Sequence, residues 1–161
     1  MFSLFKTSGK AMNKAYFSPG TECQQAIISA INNAKNSIRI CVFTISDDLI
    51  TQAILAAHQR NISIKLLTDN EKLLDVGSDI RQLAQAGLEI RTDNTKNHMH
   101  HKFAIIDHEL LISGSYNWTR SAAMYNHENI IVSDSKDLVQ DFLAAFEKLW
   151  NEMVVYKEKT I

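Results

Sequence analysis

The stretch Asn97–Asp107, NHMHHKFAIID, sets His98, His100, His101 and Lys102 side by side and then runs into apolar sequence. Imidazole and ammonium groups at this density suit metal ligation, catalysis on an anion, or plain solvation of a strand end. A metal site on His98, His100 and His101 is the weaker reading, because the run has no carboxylate or thiolate and Lys102 repels a cation. If 99–107 is a strand, its side chains alternate, and His98, His100, Lys102, Ala104 and Ile106 share one face. His101, Phe103, Ile105 and Asp107 share the other, which predicts a His101 packed into the body of the fold. His100 and Lys102 then project together, about 6.5 Å apart along the chain. Both can hold one phosphate, the imidazole as nucleophile or general base and the ammonium as a clamp on its oxygens. Asp107 has the wrong parity to join them; pairing with a basic group or fixing the following turn is expected of it.

Downstream, GSYNWT (114–119) repeats the spacing with neutral groups. Ser115 and Asn117 offer hydroxyl and amide donors to phosphate oxygens, and Gly114 lets a backbone or a substrate come close. Glu128, in HENIIV, is the nearby carboxylate that could orient a histidine through its second ring nitrogen.

These residues need a scaffold. Thr21 opens a T-x-x-Q capping box with Gln24, and Cys23, Ala26, Ile27, Ala30, Ile31 and Ala34 keep helical spacing. SIRICVF (37–43) reads as a strand, and Asp47 or Asp48 caps a second helix carrying Leu49, Ile50, Ala53, Ile54 and Ala57. ISIKLLT (62–68) follows, then a short helix from Ser78 to a terminal Gly87, then LEIRT (88–92). KFAIID, LLISGS and ENIIVS come in close succession. A helix over 136–153 closes the chain with the stripe Leu138, Phe142, Ala145, Phe146, Leu149 and Trp150. This β/α repetition predicts an α/β sandwich with a mixed, largely parallel central sheet. It forms a single domain over 14–155 after a loose N-terminal arm, 1–13.

A chain of 161 residues can build one hydrophobic core, and 45% apolar with 22% charged residues is ordinary for a soluble protein. Seventeen basic residues against 18 acidic ones mean that a polyanion must be held by a local patch. Cys23 and Cys41 make neither a disulfide framework nor a zinc ribbon and are expected as buried thiols. No segment approaches the roughly 20 apolar residues of a spanning helix, and MFSLFKTSGK does not read as a signal peptide. A cytoplasmic protein without a membrane anchor is expected.

The block His100-x-Lys102-x4-Asp107-x6-Gly114-Ser115-x-Asn117 resembles the HxKxxxxD…GSxN signature of the phospholipase D superfamily. The wider context, MHHKFAIID…LLISGSYNWT…HENIIV, is similar to its small single-motif branch, which holds the bacterial Nuc endonuclease and the mitochondrial, Zucchini-like cardiolipin hydrolase. The resemblance covers residues 14–153 and implies an α/β/α sandwich with one motif per chain. It implies that His100 attacks phosphorus to form a phosphohistidine, while a second histidine protonates the leaving oxygen and then activates water. Lys102 and Asn117 would neutralise the nonbridging oxygens, Ser115 and Gly114 would touch substrate, Asp107 would support the motif, and Glu128 would hold a histidine tautomer. No metal or cofactor is implied. Two equivalent histidines and one motif imply a twofold homodimer with the site across the axis. The mitochondrial members carry a membrane anchor and a cysteine-rich zinc insertion that this sequence does not show. The expectation is therefore a nuclease acting on DNA or RNA, with single strands preferred. Hydrolysis of cardiolipin or other phosphatidyl lipids is the alternative, and a noncatalytic nucleic-acid-binding module is the third reading.

Overall fold

Ser37–Val42 and Ser63–Thr68 are rich in Ile, Leu and Val and buried along most of their length, so they belong at the centre of a sheet covered on both faces. The computed structural model, which describes residues 11–158, bears this out. Its strands are β1 (Asn13–Phe17), β2 (Ser37–Val42), β3 (Ile45–Ser46), β4 (Ser63–Thr68), β5 (Glu89–Thr92), β6 (Lys102–Ile106), β7 (Leu110–Gly114), β8 (Trp118–Thr119), β9 (Asn129–Ser133) and β10 (Val154–Val155). Its helices are α1 (Glu22–Asn33), α2 (Asp48–Gln59), α3 (Ile80–Gln85), α4 (Arg120–Met124) and α5 (Lys136–Glu152), with a 3-10 turn at Glu71–Leu74.

The main sheet runs β1-β9-β7-β6-β2-β4-β5-β10, and β3 pairs with β8 beside it. It is mixed, as expected, but its parallel part is only β2-β4-β5; the remaining neighbours are antiparallel. The second half explains the difference. Asp107 and His108 both take left-handed backbone conformations, with φ of 54° and 58°, and the Glu109 N–H closes the turn onto the Ile106 carbonyl at 2.9 Å. A two-residue turn with positive φ at both central positions joins antiparallel strands directly, with no crossover helix.

The sheet separates two apolar layers. Ile38, Ile40, Leu66, Ala104 and Ile106 pack with α1, α2 and α3, whereas Cys41, Leu67, Phe103 and Ile105 pack with Val139, Leu143, Phe146 and Trp150 of α5. Both cysteines are buried free thiols and Trp118 is core. On α5 the buried stripe is centred one residue later than expected: Leu138 is 42% exposed and Ala145 is exposed, while Val139 and Leu143 are buried. The T-x-x-Q box does not form, because the buried Gln24 amide donates instead to the Asp47 carboxylate at 2.6 Å. Asp47 caps α2 through Leu49 N (3.0 Å) and Ile50 N (3.3 Å).

The expected loose arm, 1–13, lies outside the described residues up to position 10. From Met12 the chain is fastened, its N–H donating to Asp134 Oδ1 at 2.6 Å, and β1 then pairs along β9. The segment NKAYF has almost no buried face, so it carries no periodic signal.

Asp107 serves this scaffold. Its carboxylate accepts from Lys35 N (2.9 Å), Asn36 N (2.7 Å) and Ser37 N (2.9 Å), which holds the entry to β2 against the β6–β7 turn. Burial pushes its pKa up, but those three donors outweigh burial and hold it below the usual carboxylate range. A depressed folded-state pKa stabilises the fold above the unfolded value and loses that stability as pH falls through the folded one. Asp107→Asn turns an amide NH₂ against one of the N–H donors and is expected to cost about 2 kcal/mol at neutral pH. Urea midpoints of the two proteins should converge as the pH drops below about 4.

Candidate active site

Regular strand pairing begins only at Lys102, yet the expected alternation runs on through the histidines: Met99, Phe103 and Ile105 lie in one buried cluster with His101 against Phe103, and His100 lies beside Lys102. What orders them is Met99, a buried plug 3.5 Å from Cys41 Sγ by its sulfur, whose N–H donates to the buried Asp69 carboxylate at 2.9 Å. With Met99 turned inward, His98 and His100 both turn outward. His101 is exposed too, correcting the expectation of a packed side chain. Its carbonyl still accepts from Phe43 N at 2.9 Å, so the ladder to β2 continues, while its ring meets only the edge of Phe103, 5.6 Å between centroids. The last turn of α5 contributes Leu149 and Met153 to the wall of a hollow of about 400 Å³ that also exposes Asp93, His98, His100 and His101, without covering them.

The histidines lie where β2 and β4 end, with Phe43 against His100 and Asp69 beside His98, outside the carboxyl ends of parallel strands, where α/β sheets bind ligands. Lys102 Nζ lies 3.1 Å from Nδ1 and 3.4 Å from Nε2 of His100 and donates to the His100 carbonyl at 2.7 Å. Burial first, then the Lys102 ammonium, push the His100 pKa below the ordinary histidine range; His98 and His101 add to this and Asp69 opposes it. Burial also lowers the pKa of Lys102, against the pull of Glu128. The pair is thus a neutral imidazole against a crowded cation, an arrangement suited to nucleophilic attack on an anion whose oxygens the cation takes.

Hairpin pairing brings the second segment alongside, with Phe103 opposite Ser113. Ser115 donates its hydroxyl to Glu128 Oε2 and accepts from Asn129 N at 3.2 Å. Glu128 also accepts from Asn126 Nδ2 at 3.3 Å. Its carboxylate therefore faces Lys102 and is tied to Ser115; no hydrogen bond to a histidine forms among the described residues. The Asn117 side-chain oxygen is buried without a hydrogen-bond partner. Gly114 is demanded by the fold: a Cβ there would overlap the Asn129 carbonyl oxygen and come within 2.8 Å of Ile130 Cα. The close approach it permits is that of β9. Asp107, at the far end of β6, is about 16 Å along the strand from Lys102 and does not join the site.

Phe43, just past β2, was invisible as a site residue because SIRICVF makes it one more apolar strand position. Its ring centroid lies 4.5 Å from that of His100 and 5.4 Å from that of His98. Asp69 was missed for a different reason, as it joins the site only once β4 lies beside β2. Of the basic residues outside the motif, Lys72 approaches, 5.3 Å from the Phe43 centroid and paired with Asp75 at 2.9 Å. Arg91 is instead stacked on Trp150, 4.6 Å from a ring centroid, and Arg120 lines a separate hollow with Asp47 and Asp48. Asp69, Glu71 and His98 bring ligand atoms within 4.8 Å of one another, the one grouping among the described residues of a size to take an ion. Asp69 is already engaged there, accepting from Met99 N at 2.9 Å and from Glu71 N at 3.0 Å.

A family model described as "Cardiolipin synthase, PLD-like domain" matches residues 27–150. The chain is 43% identical over 121 residues to the mitochondrial cardiolipin hydrolase of Chlamydomonas reinhardtii, covering 75% of this chain and 54% of that one. It is 39% identical over 119 residues to the mitochondrial cardiolipin hydrolase of Xenopus tropicalis, covering 74% and 57% respectively. The chain thus spans little more than half the length of these curated relatives. Among solved structures it is similar to Nuc from Salmonella typhimurium, a phospholipase D family member, with a TM-score of 0.85 and 27% identity, covering 92% of this chain and all of that one. With motif, fold and sequence in agreement, the chain belongs to the phospholipase D-like family.

Proposed function

We propose that this protein is a phosphodiesterase that works through a phosphohistidine on His100, without a metal ion, and that its substrate is a nucleic-acid strand. The observation that carries the reading is the His100–Lys102 pair, with the ammonium 3.1 Å from an imidazole that is itself exposed in an open hollow. A ring nitrogen of His100 attacks phosphorus, and the bond from phosphorus to the leaving oxygen breaks. That oxygen takes a proton from a second histidine. The same histidine then deprotonates water, which attacks the phosphohistidine and releases His100. Lys102 compensates the charge gathering on the nonbridging oxygens, the role a divalent ion takes in metal-dependent nucleases.

The second histidine is His100 of another copy in a twofold dimer. Leu49 and Met124, 50% and 53% exposed, line one hollow, with Tyr125, 72% exposed, next to Met124 in the chain, and an apolar patch of this kind supports such a contact. The motif's resemblance to the single-motif branch that holds the Nuc endonuclease, together with a fold that corresponds to the whole of Nuc, supports a nucleic-acid substrate.

One observation favours a second reading. Relatives at 43% and 39% identity are named mitochondrial cardiolipin hydrolases, which makes a phosphatidyl diester the alternative substrate. No helix among the described residues is long and apolar enough to cross a membrane. The test is a panel of single-stranded DNA, RNA, duplex DNA and cardiolipin vesicles with purified protein. Cleavage of a strand with intact vesicles is expected. Cardiolipin breakdown with intact strands would transfer the assignment to lipid.

A further inference from the structure

Phe43 is the ring on which four basic side chains converge, those of His98, His100, Lys102 and Lys72. Its ring packs on His100 with 4.5 Å between centroids and 56° between planes, and meets His98 edge-on at 5.4 Å and 82°. Lys102 Nζ and Lys72 Nζ lie 5.2 Å and 5.3 Å from its centroid. The residue is anchored at both ends of its backbone, its N–H on the His101 carbonyl at 2.9 Å and its carbonyl receiving the Thr68 hydroxyl at 3.1 Å. A ring held this firmly can hold others.

We propose that Phe43 is the positioning residue of the nucleophile, fixing the orientation of the His100 ring and keeping water from one of its faces. The inference rests on the reading of His100 as the attacking group. Three observations support it. Phe43 makes the shortest ring contact of His100, closer than His98 at 6.4 Å. The electron-rich face of a phenyl ring attracts ammonium groups, so the same side chain keeps Lys102 beside the imidazole. Burial is the foremost cause of the lowered His100 pKa, and Phe43 lays an apolar ring against that imidazole. The charged and titratable groups facing His100 are Lys102, His98, His101 and Asp69, with Lys72 across Phe43 and Glu128 behind Lys102.

The experiment follows the six imidazoles by NMR through a pH titration of the full chain, the His100 signal being assigned by its loss in His100→Gln. In Phe43→Ala, water reaches the His100 ring and its titration is expected to move to higher pH. With a cleavable diester, the acid limb of kcat/KM moves the same way, and kcat falls about tenfold with KM changed less than about threefold, the mark of a misaimed nucleophile. Phe43→Tyr keeps the ring and restores both. An unmoved His100 titration in a folded Phe43→Ala, or a Phe43→Tyr that fails to restore it, would overturn the proposal. If wild type cleaves nothing, the functional reading fails, while the titration still decides what Phe43 does.

Discussion

His100→Ala is expected to abolish turnover while leaving the fold intact. The imidazole is exposed in the hollow, outside both core layers, and its contacts are the Phe43 ring and the Lys102 ammonium. Removing it leaves no cavity in the packed interior, so the change in melting temperature should be small. The chemical loss is different in kind. Without the nucleophile the covalent route is closed, and direct attack by water must proceed with no group to form the intermediate. A deficit of about 10⁴-fold or more in kcat is expected, on the order of 5 kcal/mol in the barrier. In the proposed dimer the loss is compounded, because the same substitution removes the proton donor contributed by the other copy. His101→Ala is the control within the run. Its side chain is exposed and touches only the edge of Phe103, so activity and stability should both stay near wild type.

Lys102→Ala is expected to be nearly as damaging, at about 10²–10³-fold in kcat, the usual cost of losing one preorganised charge-stabilising donor. Two effects combine. The oxygens of the transition state lose their cation, and His100 loses the donor that reaches both its carbonyl, at 2.7 Å, and its ring. The sign of the accompanying pH effect is fixed. Lys102 lowers the His100 pKa, so its removal lets that pKa rise, and the acid limb of the remaining activity should move to higher pH. Lys102→Arg is not expected to rescue, since a planar fork cannot occupy the place of a compact ammonium packed against an imidazole and a carbonyl. Rate measurements across pH on the two variants separate loss of the clamp from loss of the nucleophile.

What was legible in the sequence was what is local in the chain. His100 and Lys102 lie two residues apart, and Ser115 and Asn117 follow just past the end of the adjoining strand of the same hairpin, so their grouping in sequence needs no knowledge of topology. His101 lies on the Phe103 side, as the alternation predicts, yet it is exposed, because Leu149 and Met153 at the end of α5 border it without covering it. Asp107 is in the motif block yet works elsewhere, since its three partners, Lys35, Asn36 and Ser37, lie 70 to 72 residues away and no pattern joins them to it. Phe43 and Asp69 belong to the site only because β2 and β4 lie side by side and end together. The parallel centre was readable from fully buried apolar runs, whereas β1, with no buried face, and β10, with two exposed valines, left no periodic trace. Gly114 was expected to let a backbone or a substrate come close, and the backbone of β9 is what does so.

The central claim, a covalent step on His100 with Lys102 in place of a metal ion, is tested most directly by trapping. Wild-type protein and His100→Ala are mixed in excess EDTA with an oligonucleotide labelled so that the attacked phosphorus stays with the protein. The reaction is stopped in alkali, where a phosphorus–nitrogen bond to histidine survives. Expected is label on the wild-type chain, located at His100 by peptide mapping, with turnover undiminished by the chelator and no label on the variant. Turnover that stops in EDTA and returns with a divalent ion, with no label on His100, would contradict it.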